Sequence, residues 1–374
     1  MPTTFQRIAT ALRLAPLSTQ HVAELVTGSG FALDSFVAAH TFLVRPGSRI
    51  DVEAFLPFLF GSWFTCPVTL DLPGFARLAS APVLDRRGLA RLAGCLVSAQ
   101  LASDPDRARD PSFWAVVLPA LRKVGHPYLL VGDSHSAICR INGSSPVRPI
   151  IPVHLACTAG SAIGLANPRS RSGYGDRLNA LAGAIRKSGE GRGLPTLLQF
   201  GQVDIEFVFT YRRIAAKRAR FDRDEYDEFC HRVAASYGGF LDTCFDIPGP
   251  VRLLSVLPPA LSDAAWAEGY VDSHVEVVEE GFGPEAVRSL QIPSWAERTA
   301  LHVAFNDRLA ALCADRQMTF VDLCRCLLAG RPVVDEALIT LSGGRDHHLD
   351  IAAAQARLRS LVERNVRDAY RAGK

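Results

Sequence analysis

From Tyr128 onward, short apolar runs alternate with longer amphipathic stretches, and this alternation constrains the fold more than any other feature. The runs lie at 128–131, 147–155, 196–200, 251–256 and 318–321 and are rich in Val, Leu and Ile. They are too short for helices and lack the strict apolar–polar alternation of a half-exposed strand. Such runs read as strands buried on both faces. Between them, 176–187, 223–241 and 295–314 carry helical patterning, and a last helix is expected over 351–370. Strands separated by helices connect as parallel crossovers, with helices on both faces. The expected fold class is therefore α/β: a three-layer α/β/α sandwich around a mostly parallel sheet of about five strands. Residues 261–293 break the alternation and read as an insertion.

The first 120 residues have a different texture. Stretches 19–26 and 31–44 look helical, and no series of strand-like runs is visible. Phe55, Leu56, Phe58, Leu59, Phe60, Trp63 and Phe64 form an aromatic patch that suits a packing face, or a pocket for an acyl chain. A polar stretch at 103–112 follows, and Asp110-Pro111-Ser112 has the composition of a helix start. The expected organisation is a mainly helical N-terminal domain over 1–120, plus an α/β domain over 121–374 that contains the insertion at 261–293.

Charge and composition narrow the partners. Lys and Arg total 41 against 38 Asp and Glu, a net charge of +3, so no nucleic acid or acidic membrane surface is called for. The basic run from Arg212 to Arg220 is followed at once by Asp222, Asp224, Glu225, Asp227 and Glu228, as on a solvated helix. With 48% hydrophobic and 21% charged residues the chain can bury a core, which excludes disorder as its main state. No apolar run approaches the ~20 residues of a membrane span, and no secretory leader is expected. Nine cysteines without a paired framework read as reduced thiols, so a cytoplasmic location is expected. The pair Cys324-x-Cys326 has no matching Cys or His pair at zinc-site spacing, and neither a metal nor another cofactor is expected. The sequence is silent on oligomeric state.

Ligands of an open parallel sheet sit beyond the carboxyl ends of its strands. The first strand exits into Gly132-Asp133-Ser134-His135-Ser136, the third into Gly201-Gln202-Val203-Asp204 and the fourth into Leu257-Pro258-Pro259. Gly343-Gly344-Arg345-Asp346-His347-His348-Leu349-Asp350 precedes the final helix. A serine, histidines and a carboxylate thus meet at one end of the sheet. Serine becomes a nucleophile when a base takes its proton, and the base needs an acid partner to hold its tautomer. An α/β-hydrolase elbow, G-x-S-x-G, is excluded because Ser136 stands where its last glycine belongs. Asp133-x-His135 could also open a calcineurin-like phosphoesterase metal site, but the further blocks of that site are missing. A second Asp-Ser-His, at 272–274, lacks a preceding strand and glycine and reads as coincidence.

Taken in order, the blocks Gly132-Asp133-Ser134-His135, Gly201-Gln202-Val203-Asp204 and Asp346-His347-His348-Leu349 resemble those of the SGNH (GDSL-like) hydrolases. Pro258-Pro259 and Phe305-Asn306 fit the same family, and the resemblance covers about residues 125–374. It implies a flavodoxin-like sheet, with Ser134 as nucleophile, His348 as general base and Asp346 as the orienting acid. It also implies an oxyanion hole from Ser134, a second-block glycine, taken as Gly160, and a third-block donor. Asp133, Gly201 and Asp204 would support the site.

Two departures bear on the chemistry. Val203 replaces the usual third-block asparagine, so Gln202 or a backbone N–H must donate instead; a G-E-[IV]-D version of the block occurs in the family. The last block is Asp346-x-His348 rather than D-x-x-H, with Arg345 three positions before His348. Either the loop bends to bring Asp346 in, or the unit is a Ser–His dyad, or His347 is the base. The implied activity is a serine esterase or deacylase working through an acyl-enzyme on a small oxygen ester, such as an acylated carbohydrate. An O-acyltransferase and a non-catalytic binding protein are the alternatives.

Overall fold

A computed structural model describes residues 86–372 except 144, 146, 244, 271–282 and 340–343, together with 17–18, 68–69, 72 and 75–76. The aromatic patch at 55–64, the stretches 19–26 and 31–44, and Asp272-Ser273-His274 lie outside the described residues.

Five strands form one parallel sheet: β1 (His126–Gly132), β2 (Ile150–Ala156), β3 (Thr196–Gln199), β4 (Val251–Leu254) and β5 (Thr319–Val321). Their order is β2-β1-β3-β4-β5, the flavodoxin-like arrangement. β1 is central, pairing Val131 with Leu155 on one side and with Leu198 on the other. Its sequence HPYLLVG is apolar almost throughout because both faces are covered. β2 starts later than its apolar run does. Pro149 has no N–H to give a ladder and precedes the first paired residue, while Val147 is exposed.

Alternate residues of β1 serve different cores. Leu129 and Val131 point to a cluster built from helices α1 (Arg86–Ser103), α2 (Pro111–Val124), α3 (Tyr174–Lys187), α4 (Arg223–Thr243) and α5 (Trp295–Asp315). Tyr128 and Leu130 point to a second cluster, which takes in the short helix Leu323–Leu328 and α6 (Ile351–Ala372). The expected three layers are present. Helix starts follow their sequence signals. Asp110 accepts from the Ser112 N–H ahead of α2, Ser294 and Glu297 form a capping box on α5, and Asp350 accepts from the Ala353 N–H at 2.8 Å on α6.

Most of the expected helical N-terminal domain lies outside the described residues. Its last part, α1 and α2, shares the first core with β1 and β2. The polar stretch read as a boundary is a 3-10 turn, Pro105–Arg109, between these two helices. Its polarity reflects an exposed turn within one layer rather than a gap between cores. The interval 261–293 contributes the short helices Asp263–Ala267 and Pro284–Arg288, which close a small cluster around Phe207 and Trp266. Among the described residues no helix is long and apolar enough to cross a membrane, and the cysteines are free thiols.

Candidate active site

Gly132 closes β1 where there is no room for a side chain. A Cβ there would lie 2.5 Å from the Gln199 carbonyl oxygen and 2.7 Å from Ser136 Cβ. The chain then turns into a 3-10 helix, Ser134–Cys139, whose N-cap is Asp133. Asp133 is fully buried, and its Oδ1 accepts from the His135 N–H at 2.9 Å. This places Ser134, half-buried, in the first turn at the rim of the sheet. Among the described residues the Ser134 N–H forms no hydrogen bond, as expected of the first amide of a helical turn.

The loop before α6 brings the partners. His348 Nε2 lies 2.8 Å from Ser134 Oγ, and His348 Nδ1 lies 2.9 Å from Asp346 Oδ1. The same Oδ1 accepts the His348 backbone N–H at 2.9 Å. An Asx turn therefore folds the carboxylate over both the main chain and the ring, and so an acid only two residues away can reach Nδ1. The hydrogen bond from His348 holds Asp346 down to a pKa of about 2, so it is ionised at neutral pH. His347 points elsewhere: its Nδ1 meets the Tyr270 hydroxyl at 2.6 Å, and its ring packs edge-on against Phe207.

Of the oxyanion residues, Ser134 stands with its N–H open, the Gly160 N–H is taken up in a turn, and Gln202 is held through its side-chain oxygen. The Gly160 N–H donates to the Cys157 carbonyl at 2.7 Å within a turn. Gln202 Oε1 accepts from the Leu257 N–H at 2.6 Å, and its Nε2 is buried with no hydrogen-bond partner among the described residues. Gly201 turns the chain out of β3 at φ +109°, a region that L side chains rarely adopt, and a Cβ would meet the Phe305 ring at 2.8 Å. Asp204 accepts from the Ala162 N–H at 2.6 Å and the Ile163 N–H at 3.3 Å, tying the third block to the loop after β2. Burial pushes its carboxyl up to about 7.

Sequence reasoning missed a layer beneath these groups. His135, 2% exposed, sets its Nδ1 3.0 Å from Asp133 Oδ1 and repeats the geometry of Asp346 and His348. Burial opposes a charge on His135, but the carboxylates of Asp133 and Glu206 outweigh it and raise its pKa. Its ring lies tilted by 33° against that of His348, with centroids 4.8 Å apart. Glu206, on a π-helical turn (Asp204–Val208), has no hydrogen-bond partner on either oxygen among the described residues, and burial raises it to about 7. His302 Nδ1–H donates to the Leu257 carbonyl at 2.7 Å, and its Nε2 stands 3.6 Å from Glu206. Burial lowers His302 to about 3, so its ring is neutral. The repeated Asp-x-His was the one visible signal; residues 206 and 302 join the group only through the fold.

No protein-family model matches the chain, and no curated protein does. Solved structures do match. An acetylxylan esterase from Geobacillus stearothermophilus is 10% identical, over 65% of this chain and 94% of that one, at a TM-score of 0.34. A carbohydrate acetylesterase from Sinorhizobium meliloti is 14% identical, over 65% and 99%, also at 0.34. An extracellular lipase from Streptomyces rimosus is 13% identical, over 64% and 99%, again at 0.34. The SGNH-like blocks occupy the ends of β1 and β3 and the start of α6, as the ordered motifs imply.

Proposed function

We propose that the protein is a serine esterase that forms an acyl-enzyme on Ser134. The observation that carries this reading is the continuous line from Ser134 Oγ through His348 to Asp346, with contacts of 2.8 and 2.9 Å. His348 Nε2 accepts the hydroxyl proton as Oγ bonds to the ester carbonyl carbon. Asp346 stabilises the imidazolium that results. The open Ser134 N–H supports the oxyanion. Collapse of the tetrahedral adduct breaks the bond to the alkoxide oxygen, which leaves with the proton from His348. Water then attacks the acyl group, giving its proton to His348, and the carboxylic acid departs as Ser134 regains its hydrogen.

The substrate class is a small oxygen ester, and acylated sugars are the first set to test. An alcohol in place of water would turn the same intermediate into an O-acyl transfer. The test is labelling by a fluorophosphonate probe together with hydrolysis of p-nitrophenyl acetate. Labelling and turnover that both vanish in Ser134→Ala support the proposal. A folded wild-type protein that neither labels nor turns over refutes it and leaves a binding protein. Adding a sugar acceptor during turnover separates the two fates of the acyl group: competition between acceptor and water for the released acyl group marks a transferase.

A further inference from the structure

We propose that His135 is a positioning residue for the Ser134–His348 pair: its buried ring, gripped by Asp133, ties the turn that carries the nucleophile to the loop that carries the base. His135 follows Ser134 in the 3-10 helix, and His347 precedes His348 in the loop before α6. A tie between residues 135 and 347 therefore lies next to the 2.8 Å contact between Ser134 Oγ and His348 Nε2 on both strands of chain. The ring is placed to make it. Its centroid lies 5.2 Å from that of His347, at an interplanar angle of 56°, and 4.8 Å from that of His348, at 33°. His347 is itself held from the other side by the Tyr270 hydroxyl and the Phe207 ring.

Asp133 decides the charge of the His135 ring. The carboxylate is fully buried, and its Oδ1 accepts from the His135 N–H at 2.9 Å and from Nδ1 at 3.0 Å. Its Oδ2 has no hydrogen-bond partner among the described residues, and the ion pair it makes is with His135. A buried carboxylate is costly without a cation beside it, and His135 is in place to supply one. Burial opposes a charge on the ring, but Asp133, Glu206 and the main-chain carbonyl of His347 together favour it and raise its pKa. The other titratable groups around the ring are His347, His348 and, beyond Glu206, the neutral His302.

An imidazolium carries a second proton, on Nε2. No described group stands within hydrogen-bond range of that buried nitrogen, yet the His347 carbonyl is near enough to favour the proton there. A buried donor seeks an acceptor, so the charged ring draws the His347 main chain, and His348 with it, toward the Ser134 turn. The charge of the ring stands independently of the proposed esterase reaction; its effect on rate rests on that reading. Displacing a reacting group by about 1 Å costs about 100-fold in rate.

The experiment joins nitrogen NMR of histidine-labelled protein to kinetics. At neutral pH both His135 nitrogens should be protonated in the wild type. In Asp133→Asn, which keeps the acceptor oxygen and the N-cap but removes the charge, the ring should be neutral and the His348 signals should move with it. His135→Phe and Asp133→Asn should each lower kcat for p-nitrophenyl acetate, and the rate of fluorophosphonate labelling, by about 100-fold with KM little changed. Phenylalanine fills the space without the N–H groups, so near wild-type turnover in that variant would reduce His135 to packing and overturn the proposal. A neutral His135 in the wild type overturns it too, as does full turnover in Asp133→Asn once the ring is shown to be neutral. Asp133→Asn is isosteric and keeps the test decisive if the buried ring does not tolerate replacement. A charged His135 with coupled His348 signals, in a protein that neither labels nor turns over, supports the tie and sinks only the catalytic reading.

Discussion

The spacing of Asp346 and His348 makes Asp346→Asn the most informative substitution. Asp346 Oδ1 sits 2.9 Å from His348 Nδ1, and the charge on His348 develops only when it takes the Ser134 proton. At an effective dielectric of about 20, a contact at that range contributes about 5 kcal/mol to the imidazolium. The carboxylate side chain is 43% exposed, so water screens part of this and about 3–5 kcal/mol is the working range. That corresponds to a loss of about 10²- to 10⁴-fold in turnover. Asparagine brings a second effect of the same sign. Its carbonyl can keep the backbone N–H of His348, but its amide would then favour the tautomer with the proton on Nε2, which cannot accept from serine.

The control is Asp350→Asn. Asp350 caps α6 through the Ala353 N–H, and asparagine caps about as well, so that variant should lose less than about threefold. The assay is kcat for p-nitrophenyl acetate with KM measured alongside, on variants whose circular dichroism matches the wild type. The expected pattern is a fall in kcat of about 10³-fold for Asp346→Asn with KM little changed. Equal small losses in the two variants would remove Asp346 from the mechanism and leave a Ser134–His348 dyad.

Two further outcomes concern the fold around the site. Gly201→Ala should lower the melting temperature by about 5 °C or more, because φ +109° is strained for alanine and its Cβ would press on Phe305; an unchanged melting curve would refute the close approach. Asp204 should contribute stability at about pH 4 that is lost as pH rises to about 7, against an opposite contribution from His302, which is held near 3 and is neutral in the fold. Over this window folded Asp204, with its carboxyl near 7, keeps a proton that the unfolded chain has released, and Glu206 acts in the same direction. Urea midpoints at pH 5 and pH 8 measure the slope, and Asp204→Asn should shift it towards greater stability at pH 8 relative to pH 5 by on the order of a few kcal/mol. A slope equal to that of the wild type would show that Asp204 is ionised at ordinary pH.

What could be read in the chain follows from where periodicity acts. β1 is apolar at nearly every position because helices cover both of its faces, and that pattern survives in one dimension. Parallel strands then bring every carboxyl end to one edge, so the residues after β1 and β3 could be placed near those before α6 without coordinates. Side-chain direction was not legible in this way. The Asp346-x-His348 spacing looked too short until the Asx turn put one carboxylate oxygen on two donors. The Gly160 N–H is spent on a turn that composition does not reveal. Glu206, His302 and His135 lie far apart in the chain, and only the π-helical turn after β3 and the packing of α5 set them together. The repeated Asp-x-His connects the two levels. At Asp133 it orders the 3-10 turn that carries Ser134, and at Asp346 it orders the ring that faces Ser134. One local rule, used at both ends of the sheet domain, thus fixes both halves of the proposed nucleophile–base pair, and a change in either aspartate should disturb the 2.8 Å contact between them.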